Sequence, residues 1–282
     1  MSNESILNIT PDRLSEIQRA WDAARPFHYV VIDDFLAADF AEEILAAYPT
    51  PRGGAWDDTP YIHQLKKLTL NKDFPAPIDD FFRMTESEEF RNLISSICRI
   101  PDLIADPTLS GGGLHQIMNG GYLDVHVDYN FHPRTKEHRR LNLLLYLNKD
   151  WQREYEGYLE FWDMQEKRQI ENIAPVFNRA VIFETNEISF HGHPRKLNLP
   201  EGVTRKSLAV YYYTKERAEL ETAMEHNTIF KQTTGISGYV KTSLAAVVTL
   251  SERASSAAKK DLFESLTRRL YRRIKGLPRE NK

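Results

Sequence analysis

Residues 114–128 read LHQIMNGGYLDVHVD, and the fold turns on how that stretch is understood. Leu114 to Met118 and Tyr122 to Val127 are short runs rich in apolar and β-branched residues, parted by Asn119-Gly120-Gly121, which reads as a turn. Working outward, the pattern repeats at Leu141 to Leu147, Tyr158 to Trp162, Ala180 to Glu184 and Ser207 to Tyr213. So many short strands between Gly111 and Thr214 predict a β-sandwich or jelly roll. A parallel α/β sheet needs helical crossovers, and none of these connections has helical periodicity.

The flanks are different. Helices are expected at Ser15–Ala24, Ala38–Tyr48, Pro77–Met84 and Ser87–Cys98, with one strand at Phe27–Ile32, FHYVVI. From Ser251 to Lys282 ten Lys and Arg face four Asp and Glu, and Leu262, Leu266, Leu270 and Ile274 recur every four residues. That is a basic amphipathic helix, which either docks on the body or takes a partner. The expected class is mainly β with flanking helices (α+β). Residues 1–110 form a helix-rich part packing on the core, 111–217 the jelly-roll core, and 218–282 a C-terminal extension.

Composition sets limits. With 41% hydrophobic and 27% charged residues, the 282-residue chain has ordinary globular usage. A net charge of -3 argues against general nucleic-acid binding. The single cysteine, Cys98, excludes an internal disulfide or a CxxC zinc site, and its place on an apolar helix face reads as core. The opening MSNESILNIT lacks the marks of a signal peptide, and no apolar run reaches the roughly 20 residues of a membrane span, so a cytoplasmic protein is expected.

The chemistry is concentrated at Asp124-Val125-His126-Val127-Asp128-Tyr129. Alternate residues of a strand share a face, so His126 and Asp128 project together. An imidazole and a carboxylate side by side suit a divalent first-row metal, and a second histidine from a distant strand completes a face with open positions. Two candidates stand in Ser189-Phe190-His191-Gly192-His193. His191 is preferred, because Gly192 allows a close backbone approach and Pro194 turns the chain away at His193. Further on, Arg205 and Ser207 alternate onto one face of Thr204-Arg205-Lys206-Ser207-Leu208, a setting for clamping a ligand carboxylate.

In this order, His126-x-Asp128, Tyr146-Leu147-Asn148, Gly157-x-Leu159, His191 and Arg205-x-Ser207, the sequence resembles the Fe(II)/2-oxoglutarate dioxygenase superfamily in its prolyl-4-hydroxylase-like branch. The resemblance implies a double-stranded β-helix that takes Fe(II), with 2-oxoglutarate as cosubstrate and ascorbate as an accessory reductant. It also implies hydroxylation of a C–H bond with release of succinate and CO2. Related halogenases carry a small residue where Asp128 stands, which favours hydroxylation here. Tyr146 would donate to the carboxylate held by Arg205, Leu159 would wall the cosubstrate, and Asn142 is an inward-facing candidate. Gln116, ten residues before His126, stands near where relatives place a tyrosine that touches the cosubstrate. Glu156 replaces one glycine of the branch's usual turn. A peptidyl-prolyl or small-molecule substrate is implied. The basic run His132, Arg134, Lys136, His138, Arg139 and Arg140, as a mobile cationic lid, would add an anionic one. The competing readings are a cupin-like metal- or sugar-binding jelly roll, which needs no carboxylate clamp, and a degenerate scaffold that binds a partner.

Overall fold

The computed structural model describes residues 6–51, 56–57, 63–218 and 224–231. In chain order these form α1 (Pro11–Ala23), β1 (Tyr29–Ile32), α2 (Ala38–Ala46), β2 (Gln64–Leu70), α3 (Ala76–Glu86), α4 (Glu88–Cys98) and β3 (Ile104–Ala105). Then follow β4 (Gly113–Val127), β5 (His138–Tyr146), β6 (Leu159–Asp163), β7 (Arg168–Ile173), β8 (Arg179–Glu184), β9 (Phe190–His193), β10 (Arg205–Thr214) and β11 (Ile229–Phe230). The basic helix expected over Ser251–Lys282 lies outside the described residues.

All the strand pairings are antiparallel and follow the order β1-β8-β5-β10-β4-β9-β6-β7, with β2 and β11 also on β4 and β3 on β10. The core is a jelly roll, and β4 belongs to both of its walls. The first half of β4 lies between β10 and β2, the second half between β9 and β11. The expected turn at Asn119-Gly120-Gly121 is instead a bend inside one continuous strand. Gly120 has φ +77°, and a Cβ on Gly121 would lie 2.8 Å from the Leu65 carbonyl oxygen, so glycines there let the strand bulge without stopping. The sheet also recruits β1, β2, β3 and β11 from outside residues 111–217, and β2, β3, β7 and β11 were not separately expected.

The two faces of the sheet are divided by strand alternation. Leu141, Leu143 and Leu145 with Ala180, Ile182, Leu208 and Val210 pack outward beneath Phe35, Ile44, Ile78, Phe81, Phe90 and Ile94. Full burial of each such large side chain stabilises by about 1.5–3 kcal/mol, so the helices are held by an apolar underside. Ser87 caps α4 by accepting from the Phe90 N–H at 3.2 Å. Inward, Tyr146, Leu159, Phe161, Val181 and Phe183 fill one end of the barrel with Phe27. A smaller apolar cluster of Ile117, Leu197 and Leu199 lies apart from it.

Candidate metal centre

His126 and Asp128 come from the second half of β4 and its end, and His191 from β9, directly opposite His126 in the ladder. Gly192 permits this close pairing, since a Cβ there would sit 2.8 Å from the Asp124 carbonyl oxygen. One ligand atom from each of the three residues falls within 4.8 Å of the others. His126 Nε2 is 3.6 Å from Asp128 Oδ1, and His191 Nε2 is 3.5 Å from Asp128 Oδ2. Each ring is oriented by its other nitrogen. His126 Nδ1 lies 2.8 Å from the Asp124 carbonyl and His191 Nδ1 2.9 Å from that of Ser189. Those carbonyls accept the Nδ1 proton, leaving both Nε2 lone pairs directed at the same space. Burial, reinforced by His126, pushes the His191 pKa down to about 4, which keeps the imidazole neutral as a metal needs.

Asp128 is held just as firmly. Asn142 Nδ2 donates to its Oδ2 at 2.7 Å, and Arg139 lies 3.1 Å from the same oxygen. Burial alone would raise the Asp128 pKa, but Arg139 and the two imidazoles outweigh it and hold the carboxyl well below the usual range. Arg139 is itself only 1% exposed, lies over the rings of Tyr129 at 4.5 Å and Tyr211 at 3.6 Å, and donates to Asn142 Oδ1. The expectation of a cationic lid therefore needs correction. Arg139 is part of the metal site's support, and buried His132 pairs with Asp106 at 3.2 Å. Arg134 and Lys136 are exposed, and Lys136 pairs with Glu225.

Farther along the inner wall lies the carboxylate clamp. Arg205, 4% exposed, donates from Nε to the Gly157 carbonyl at 2.7 Å and lies 3.3 Å from the Tyr146 hydroxyl. Gly157 has φ +73°, and a Cβ there would lie 2.3 Å from a Leu197 methyl and 3.1 Å from Arg205 Cδ, so a side chain would displace the guanidinium. Ser207 pairs with Tyr146 across β10 and β5 and shares this face, as do Leu159 on β6 and Asn142 on β5. No carboxylate partners Arg205 among the described residues.

Gln116 does not join them. It pairs with Lys206 and Leu68, on the opposite face from Arg205, and its amide donates to Thr204 Oγ1 at 2.8 Å. The bend in β4 switches the facing residues from odd numbers to even ones, so counting back ten from His126 lands on the wrong side. Ile117 and His115 hold the inward positions.

Three further residues belong to the site. His193, 3% exposed, shares the inner face with His191 and has no hydrogen-bond partner at either ring nitrogen. Lys67 projects inward from β2, in register with Ile117, which is itself in register with Arg205. Phe230 of β11 stacks on His63 at 4.1 Å and lies 5.2 Å from His126, covering the metal-ligand strand. Of these His193 was already a candidate in the sequence, while Lys67 shares one side of Gln64-Leu65-Lys66-Lys67-Leu68-Thr69-Leu70 with Thr69.

A jelly roll with two histidines and a carboxylate on one inner wall, and beyond them an arginine without a carboxylate partner among the described residues, is an arrangement for a mononuclear metal beside an acidic ligand. Residues 112–213 match the family described as the 2OG-Fe(II) oxygenase superfamily. Its cofactors are Fe(II) and 2-oxoglutarate, and the site fits them: free Nε2 atoms and an ionised Asp128 suit the metal, the unpaired Arg205 a carboxylate. The chain is similar to prolyl 3-hydroxylase OGFOD1 of Mus musculus, 24% identical over 217 residues, which cover 70% of this chain and 37% of that protein. The Xenopus laevis OGFOD1 is likewise 24% identical, over 200 residues covering 62% of this chain and 37% of the relative. The chain thus spans 37% of the length of these curated relatives. In fold it is similar to a prolyl hydroxylase from Trichoplax adhaerens solved with a hypoxia inducible factor peptide fragment. The TM-score is 0.51 at 15% identity, covering 77% of this chain and 99% of that one.

Proposed function

We propose that the chain is a hydroxylase that inserts one oxygen atom into a C–H bond of a prolyl residue in a peptide or protein, using Fe(II) and 2-oxoglutarate. The observation that carries this is the single inner wall bearing both the His126–Asp128–His191 cluster and the unpaired Arg205. The prolyl substrate is supported by the names of the relatives, the prolyl 3-hydroxylases of mouse and frog. The bound metal and cosubstrate would supply activation of dioxygen, one oxygen atom going to the substrate C–H bond and the other to succinate as 2-oxoglutarate loses CO2. The protein's part is placement. His126, Asp128 and His191 would hold the metal, and Arg205 with the Tyr146 hydroxyl and Ser207 would hold the far carboxylate of the cosubstrate. Leu159 walls that pocket, and Phe230 keeps water from the ligand strand.

The exposed Arg134 and Lys136 would favour substrates with acidic residues near the target proline. The basic stretch Ser251–Lys282 would serve to dock a partner. The test is succinate release by the Fe(II)-loaded full chain over a panel of proline-containing peptides, with mass spectrometry to locate the added oxygen. Succinate formed equally by the parent and by His126→Ala would sink the reading. Oxygen added to a residue other than proline would leave the oxygenase and remove the prolyl substrate.

A further inference from the structure

Charge bookkeeping inside the barrel leaves a remainder. Asp128 is matched by Arg139 at 3.1 Å. His115 is held neutral, with burial as the main cause and Lys67 adding to it. Two cations, Arg205 and Lys67, then share the pocket without an acid of their own. Neither has a carboxylate partner among the described residues, and Lys67 has no hydrogen bond there at all.

Lys67 is aimed at the pocket by its strand. Leu68 and Leu70 of β2 face the outer side, where Leu70 joins the helix-backed core, so Lys67 and Thr69 face in. Across β10, β4 and β2 the row reads Arg205, Ile117, Lys67. Two strand spacings put the ends of that row roughly 10 Å apart at the backbone, a gap that two long side chains narrow. Ile117 between them is apolar, packs against Leu197 and Leu199, and offers no polar group. His193, with both ring nitrogens unpartnered, faces the same space from β9. Burial pushes the Lys67 pKa down to about 8, only partly offset by Asp128, as for a cation with no close anion. Arg205 is buried and Lys67 half-buried, and two cations side by side in such a place are costly unless an anionic ligand completes the site.

We propose that Lys67 is the second carboxylate anchor of the cosubstrate: Arg205 binds the far carboxylate of 2-oxoglutarate, and Lys67 the carboxylate adjoining the keto group. The two cations match the two negative charges of the ligand. The Arg205 end is already shaped by Tyr146 and Gly157, so the other cation falls to the other carboxylate. This rests on the 2-oxoglutarate reading of the site and adds to it a residue for which the sequence motifs have no place.

The experiment is equilibrium calorimetry on the full chain loaded with Mn(II), without oxygen, using 2-oxoglutarate and 2-oxovalerate, the analogue that lacks the far carboxylate. Lys67→Met is expected to weaken both ligands by a common factor on the order of 10- to 100-fold, with Lys67→Arg recovering most of it. Arg205→Met is expected to weaken 2-oxoglutarate alone. Thermal unfolding of each variant without ligand checks that the fold persists, and Lys67→Arg serves as the readout if the methionine variant does not fold. Unchanged affinity for both ligands in Lys67→Met overturns the assignment while leaving the cosubstrate reading intact. So does weakening of 2-oxoglutarate without 2-oxovalerate, which would put Lys67 at the far carboxylate. Failure of the unaltered protein to bind 2-oxoglutarate removes both.

Discussion

The two halves of β4 carry two sites in opposite states of completion. At the metal end every supporting group is already engaged: the second nitrogen of each histidine has a carbonyl, and Asp128 has Asn142 and Arg139. At the clamp end polar groups wait: among the described residues Arg205 and half-buried Lys67 have no acid, and both nitrogens of buried His193 are unpartnered. The metal end is preorganised by the protein alone, so its ligands stay aligned whether or not an ion is bound. The clamp end is complete only with its ligand. Metal binding should therefore depend on single residues, and 2-oxoglutarate binding should feed directly into stability.

The largest expected effect breaks the metal end. Asp128→Ala and His126→Ala should each lose bound Fe(II) by elemental analysis and all metal-dependent succinate formation, whereas His193→Ala should keep its metal. Metal lost from His193→Ala but retained in His191→Ala would reassign the third ligand. Next comes the clamp. Arg205→Met should raise the KM for 2-oxoglutarate by about 100-fold, through loss of a charged, two-pronged contact. Ligand at a hundred times its Kd should stabilise the parent by about 2.7 kcal/mol in a melting experiment, and the variant far less. Equal stabilisation of both proteins would mean that the clamp lies elsewhere.

A smaller effect sharpens the contrast. Asn142→Ala removes one supporting bond to Asp128 and should weaken Fe(II) binding by about 10-fold, with little change in affinity for 2-oxoglutarate once metal is saturating. The smallest concerns the turn before Leu159. Glu156 adopts φ 58° and ψ -151°, a conformation natural to glycine, so the chain keeps the backbone of the expected turn without its residue. Glu156→Gly should stabilise the protein by about 1 kcal/mol in urea unfolding, leaving both sites unchanged. A loss of stability would show that the Glu156 side chain contributes more than its backbone costs.

What the sequence revealed follows the same division. His126 and Asp128 were legible because period-two alternation holds over three residues of a regular strand. Arg205 and Ser207 were legible for the same reason. Alternation failed wherever a bulge intervened. The bend at residues 118–121 reversed the facing between Gln116 and His126. A second irregularity, where Tyr212 pairs with Leu141 but Tyr213 with Arg139, skips Arg140 and turns Arg139 inward. Read as part of a solvated basic loop, Arg139 gave no hint of its place beside Asp128. Lys67 was hidden differently: a half-polar strand reads as a surface strand, and here its polar side faces the interior of the barrel. The starts of α3 and α4 were legible, because Pro77 and Ser87 mark helix starts in ways independent of packing, whereas α1 begins at Pro11, ahead of the expected Ser15.

The bend in β4 also limits how this chain can vary. Because side chains alternate with a period of two, one residue gained or lost between Met118 and Tyr122 would rotate His126 and Asp128 to the outer face while leaving Arg205 inside. A change of two would restore the facing but slide the metal along the wall, away from or toward the clamp. The length of this short segment therefore acts as a ruler between iron and arginine. An odd insertion or deletion there is expected to lose the metal, and an even one to change its distance from Arg205.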